Sequence, residues 1–305
     1  MSTQESSAVR SLTTQSLTET PAQWTKATYS RMVPVAGDRL LLVMRAGERI
    51  DRAFPGWQHT DFTDMGSYYP TDANMPMTLA KAGSRRCYTD DSPLTELGEL
   101  TARVIGRALF LRHLVPAMIV CSPALRCVQT AAAVAVALGR DTLVRVEPGL
   151  FEALAWYDRR PPVFLTEEEL IANPFRVDPT YRPIVSRESL AKRAEEGESK
   201  EELYERLAST VRQLSARART GPLLIVGHAV TVDACARRLV GKAAAANEAT
   251  MARLGQAIPY CSLLALRQPD DALKSSFSYV DDVIPDGVST SPFFRDIDVD
   301  FINRQ

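Results

Sequence analysis

The chain has 305 residues, 45% of them hydrophobic, which is enough for one large α/β domain with a substantial buried core. A formal net charge of −1 with 24% charged residues excludes an overall basic field for nucleic acid or anionic lipid, so any anion site must be a local pocket. Five cysteines without a C-x-x-C pair and three histidines make a poor zinc set, and apolar runs such as residues 131–138 are far too short for membrane insertion.

In chain order, residues 1–30 read as a disordered Ser/Thr-rich tail, with ten Ser or Thr in the first 20 positions and no apolar segment of the secretory kind. With reduced thiols expected, the cytoplasm is the default compartment and the nucleus a second one. The rest, residues 36–305, reads as a single domain with insertions at about 55–92 and 156–200.

Leu40-Leu41-Leu42-Val43-Met44 is a continuous apolar run, as in a strand buried on both faces, and it stops at Arg45-Ala46-Gly47-Glu48-Arg49. The Tyr-, Phe- and Pro-rich segment 60–91 is too irregular for bare scaffold and is expected to shape the mouth of a site. Thr95 is a helix N-cap candidate ahead of an apolar stripe, Leu97, Leu100, Val104 and Ala108. A second strand, Ala117-Met118-Ile119-Val120-Cys121, turns at Ser122-Pro123 into an Ala/Leu-rich helix over 124–138 that carries Arg126.

Segment 156–199 again looks like insertion, and its dense Lys, Arg and Glu run over 186–202 reads as a solvated linker or helix face. Leu203, Leu207, Val211 and Leu214 mark a further amphipathic helix. A third buried strand, Leu223-Leu224-Ile225-Val226, passes through Gly227-His228 into a helix bearing Val232, Cys235, Ala236 and Leu239. Strands alternating with helices predict a three-layer, doubly wound, mostly parallel sheet with helices on both faces. Such sheets bind ligands beyond the carboxyl ends of their strands, where Arg45, Arg126 and His228 stand. Cys127 beside Arg126 does not make a cysteine-phosphatase loop, because that loop needs an arginine six residues on and residue 133 is Ala.

Four segments taken together, Arg45 to Arg49, Ser122-Pro123-Ala124-Leu125-Arg126-Cys127-Val128-Gln129-Thr130-Ala131, Val146 to Glu152, and Val226-Gly227-His228, resemble the histidine phosphatases, the phosphoglycerate-mutase-like superfamily. Within it the chain is most similar to the phosphatase domains of the suppressor-of-T-cell-receptor-signalling and ecdysteroid-phosphate phosphatase proteins. Asp91-Ser92-Pro93-Leu94-Thr95 and Tyr181-Arg182-Pro183 fit the same pattern, which runs over about residues 39–287. The family pattern at the first segment is Arg-His-Gly-Glu-Arg, whose histidine attacks phosphorus; here Ala46 stands in its place.

By motif position, the resemblance implies that Arg45, Arg49 and Arg126 clamp a phosphate with His228 as the second pocket histidine, and that Glu152 donates a proton to the leaving group. Three guanidiniums can bind a phosphate without a nucleophile, whereas a methyl group cannot attack phosphorus. The expectation is a pseudophosphatase that binds a phosphorylated ligand, a phosphoprotein or a small phosphate ester, or a protein partner, without efficient turnover. The alternative is a phosphomonoesterase carrying an inactivating His-to-Ala change at position 46, or retaining weak activity. The resemblance implies a homodimer and no metal or organic cofactor.

Overall fold

The computed structural model of the protein describes residues 39–81, 85–139, 142–158, 160–218, 221–244, 247–269 and 276–280. The expected tail over 1–30 and the domain ends at 36–38 and 281–305 lie outside these described residues. The elements run β1 (Arg39–Arg45), α1 (Ile50–Ala53), α2 (Trp57–Thr60), α3 (Glu96–Leu111), β2 (Met118–Cys121), α4 (Leu125–Ala137) and β3 (Val144–Val146). There follow α5 (Glu167–Ala172), α6 (Arg187–Glu196), α7 (Lys200–Arg217), β4 (Leu223–Gly227), α8 (Ala229–Arg238), α9 (Glu248–Ala257), β5 (Leu263–Gln268) and β6 (Ser278–Tyr279).

The strands form one sheet in the order β3-β2-β4-β1-β5-β6. β3, β2, β4 and β1 are parallel, and β5 and β6 add an antiparallel edge. The apolar run of β1 is explained by its place in the middle of this sheet. Leu40, Leu42 and Met44 face the core under α3 and α4, while Leu41 and Val43 face the core under α7 and α8. Helices therefore cover both faces, as a parallel sheet requires.

Parallel register sets the ends of the strands level. Arg45 pairs with Gly227 across β1 and β4, and Cys121 with Val226 across β2 and β4. The loops that leave these three strands thus open at the same sheet edge.

The Thr95 cap is formed, its side chain accepting from Gly98 N. The stripe predicted for this helix is rotated, however. α3 buries Gly98, Ala102, Ile105, Gly106, Ala108 and Leu109, leaving Leu97 44% and Leu100 55% exposed. Small residues win the inner face because the backbones approach closely: a Cβ on Gly98 would lie 2.5 Å from the Glu48 carbonyl oxygen, and one on Gly106 would lie 2.7 Å from that of Val134.

Two irregular segments are pinned by buried charge. Lys81 Nζ pairs with Asp91 Oδ2 at 2.7 Å and donates to Cys87 O at 2.9 Å and Val163 O at 2.7 Å, so it ties segment 60–91 to segment 156–199. Asp91 Oδ1 in turn accepts Leu125 N at 2.8 Å, at the start of α4.

Gly98 gives a direct test of the close approach. Gly→Ala in an open helix interior stabilises by about 1 kcal/mol, but here the new methyl meets backbone that cannot turn aside, and overpacking costs about 1–3 kcal/mol. Gly98→Ala is expected to lower the urea unfolding midpoint at unchanged slope; a raised midpoint would show that the α3 contact is looser than described.

Candidate active site

The loops leaving β1, β2 and β4, with the segment after β3, surround a cleft of about 1090 Å³ lined by Arg45, Ala46, Arg49, Arg126, Glu152 and His228. All six positions singled out in the sequence are thereby brought together. Ala46 directly follows β1, 4% exposed, with its N–H donating to Gly227 O at 2.9 Å. The next residue, Gly47, donates its N–H to Thr130 Oγ1 at 3.0 Å, and Thr130 Oγ1 donates to Arg126 O at 2.6 Å. The β1 loop and the first turn of α4 are held together by that one hydroxyl.

Arg126 is 2% exposed. Its Nη2 donates to Glu152 Oε1 in a buried ion pair and lies 3.1 Å from His228 Nδ1, while Nη1 is buried without a hydrogen-bond partner. Because a guanidinium only donates, His228 Nδ1 must be the acceptor, which leaves the ring hydrogen on Nε2, 2.8 Å from Ser122 Oγ. The tautomer follows from these partners. Burial pushes the His228 pKa down to about 3, so the imidazole is neutral at physiological pH. Its ring lies edge-on to Phe151 at 5.6 Å.

Burial would raise the proton affinity of Glu152, but His228, then Arg126 and Arg49, and last the Tyr157 hydroxyl outweigh that and hold its carboxyl below the usual range. At neutral pH Glu152 is therefore an acceptor in this arrangement, the opposite of the state that a proton donor needs. The other two arginines have their own partners. Arg49 makes a two-point pair with Asp51, at 2.9 and 2.7 Å. Arg45 donates to the Gly255 carbonyl at 2.8 Å and to that of Ile258, at the carboxyl end of α9, and its guanidinium sits 4.0 Å above the Tyr260 ring. Both still line the cleft.

Several contributing residues carried no readable signal. Arg206 on α7 is 5% exposed and donates to the carbonyls of Gly149 at 2.9 Å, Phe151 at 2.8 Å and Glu152 at 3.3 Å, fixing the loop that presents Glu152. Its counter-ion is Glu198, at 2.6 and 2.7 Å, with both side chains 1% exposed. This corrects the expectation that the charged run over 186–202 is simply solvated: Glu198 turns inward because Arg206 must be neutralised where it holds three carbonyls. Glu147 is likewise fully buried, accepting from Tyr181 Oη at 2.7 Å, Ile184 N at 2.6 Å and Val185 N at 3.0 Å, so the Tyr181-Arg182-Pro183 stretch is docked against the same loop. Cys127 and Cys121 are buried thiols, packed as expected. Among the described residues no group of three or more His, Cys, Asp or Glu could hold a metal, and no helix is long and apolar enough to cross a membrane.

The strand tips of a mostly parallel α/β sheet thus gather three arginines, a histidine and a carboxylate around one cleft. The chain belongs to the histidine phosphatase superfamily (branch 1), whose pattern it matches over residues 77–273, a stretch that takes in Arg126, Glu152 and His228 and begins after the β1 loop. It is 38% identical over 243 residues to an ecdysteroid-phosphate phosphatase of Drosophila melanogaster, covering 78% of this chain and 32% of that protein. It is 35% identical over 229 residues to ubiquitin-associated and SH3 domain-containing protein B of Mus musculus, covering 73% of this chain and 35% of that protein. The chain thus spans about a third of the length of these curated relatives. A crystal structure of the ecdysone phosphate phosphatase from Bombyx mori in complex with tungstate superposes with a TM-score of 0.66 at 29% identity, covering 85% of this chain and 98% of that one.

Two expectations follow from the buried charges. Replacing Arg206 by Met leaves Glu198 buried and unpaired, which should cost about 3–5 kcal/mol in chemical unfolding, whereas Glu198→Gln should cost less because its amide still accepts from Arg206. His228 is neutral when folded and protonated below about pH 6.5 when unfolded, so acid favours the unfolded chain. Stability is expected to fall progressively as the pH drops below 6.5 on account of this group. Glu152, with its pKa lowered from 4.5, adds a further loss below that value. His228→Gln should flatten the profile between pH 6.5 and 4.5; an unchanged slope there would mean that the imidazole is charged in the folded state.

Proposed function

We propose that the protein is a pseudophosphatase: it binds a phosphorylated ligand, a phosphoprotein or a small phosphate ester, at the strand tips without efficient turnover. The observation that carries this reading is Ala46, a buried methyl group at the end of β1 on the wall of the cleft that also holds Arg45, Arg49, Arg126 and His228. In the family pattern that position supplies the attacking histidine. Alanine has no lone pair, and losing the nucleophile from an assembled site costs on the order of 10⁶ in turnover.

Binding does not need the nucleophile. Arg126 lines the cleft together with Arg45 and Arg49, its buried Nη1 making no hydrogen bond and lying 3.9 Å from Asp91 Oδ1. Each arginine contact to a phosphate contributes about 1.5–3 kcal/mol. The tungstate-bound silkworm relative supports the same reading, since tungstate is a tetrahedral oxyanion like phosphate. Weak residual phosphatase activity is the second reading, and it would need another attacking group. His228 is poorly suited, because Nδ1 faces the Arg126 donor and Nε2 carries the hydrogen that points to Ser122.

Two measurements test the proposal. Calorimetry is expected to show tungstate or inorganic phosphate binding to the native chain, weakened at least about 10²-fold in an Arg45→Ala/Arg126→Ala double variant, the loss of two charge-assisted contacts; equal affinities would remove the clamp. The native chain should leave p-nitrophenyl phosphate essentially untouched, while Ala46→His should gain hydrolysis by orders of magnitude. Rapid turnover by the native chain would overturn the pseudophosphatase reading.

A further inference from the structure

We propose that Tyr157 is a positioning residue that keeps Glu152 a hydrogen-bond acceptor, so that the site is short of a proton donor as well as of a nucleophile. This deepens the pseudophosphatase reading and rests on it only for its consequence; the contact itself stands apart. The Tyr157 hydroxyl donates to Glu152 Oε1, the same oxygen that receives Arg126 Nη2. Two donors, one of them charged, thus converge on one carboxylate oxygen. The second oxygen, Oε2, lies 3.4 Å from His228 Nδ1, itself facing Arg126. Arg49 reaches Glu152 electrostatically from the β1 loop, and Arg206 holds the Glu152 backbone carbonyl from α7.

A carboxyl group that must give a proton to a leaving oxygen needs to be protonated beforehand and to point its hydrogen at the substrate. Donors on the carboxylate favour the charged form instead. Tyr157 is well fixed for this role: its ring packs on Phe151 at 5.2 Å, and its backbone N–H bonds to Leu154 O at 3.0 Å. Burial and the facing carboxylate raise its own pKa far above neutrality, so the hydroxyl keeps its hydrogen. The tyrosine also lines the cleft, where removing the hydroxyl alters a single oxygen and leaves the ring packing in place.

The test reads Glu152 directly. Carboxyl carbon signals of ¹³C-labelled Glu are followed by NMR from pH 2 to 8 in the native chain without added oxyanion, with Glu152→Gln used to assign the signal, and then in Tyr157→Phe. The Glu152 midpoint is expected to move up by about one pH unit or more in Tyr157→Phe. An unmoved midpoint, or a native midpoint already near neutrality, overturns the proposal whether or not the chain binds phosphate. Absence of tungstate binding sinks the pseudophosphatase reading and leaves this result standing. A functional arm separates positioning from packing: in an Ala46→His background, Tyr157→Phe should extend the alkaline limb of the kcat profile for phenyl phosphate. It should change p-nitrophenyl phosphate, whose leaving group departs without a proton, by much less. Equal changes for both substrates would count against the proposal.

Discussion

The buried pair between Arg126 and Glu152 is the interaction on which the rest of the cleft depends. Both side chains are out of water, and taking two charges into the interior costs several kcal/mol per ion unless geometry and further hydrogen bonds compensate. The surrounding structure supplies those bonds. Thr130 ties the Arg126 backbone to Gly47, Asp91 caps the start of α4 and lies 3.9 Å from Arg126, His228 Nδ1 accepts from Arg126, and Tyr157 donates to the carboxylate. On the other side Arg206 holds three carbonyls of the Glu152 loop, itself neutralised by Glu198. Remove one member and a buried charge is left without its partner, a larger loss than the pair's net worth.

This arrangement separates two properties that an active phosphatase needs together. On the function proposed here, oxyanion binding would draw on the guanidiniums and their supports, which the structure brings together in the cleft. Chemistry would draw on a lone pair at position 46, where a methyl group stands, and on a proton at Glu152, which the donors around it oppose. The binding half is also the half that stabilises the fold, because Arg126 and Glu152 neutralise each other in the core.

The sequence was most legible where chemistry and backbone coincide. Three apolar runs ending in Arg45, Ser122 and His228 fixed three parallel strands and their common edge, because a strand buried on both faces has no polar alternation to disguise it. Within the Ser122 to Ala131 segment, residues with no catalytic part turn out to hold the loops: Gln129 Oε1 accepts Leu94 N at 2.9 Å, and Thr130 joins α4 to β1. What escaped notice lies in long-range pairing. Glu198 and Arg206 sit in a stretch that reads as solvated charge, and only the fold brings a carbonyl-rich loop against them. The face of α3 was misjudged for a related reason, since close backbone approach at Gly98 and Gly106 selects small residues over the leucines that periodicity favours.

The two irregular segments illustrate how such a cleft is built without regular structure. An Asp or Lys placed inside would be costly if unpaired, so each buried charge specifies its neighbours. Lys81 meets Asp91 and the Cys87 and Val163 carbonyls, which lie in different segments. Asp61 accepts from Thr71 N at 3.2 Å and from Thr71 Oγ1 at 2.5 Å, closing a turn beside the aromatic cluster of Trp57, Phe62, Tyr68 and Tyr88. Asp91 then carries that order to the first turn of α4, one residue before Arg126. The wall of the cleft and its central arginine are thereby one connected polar structure, which ties the identity of residues in the irregular segments to the position of Arg126.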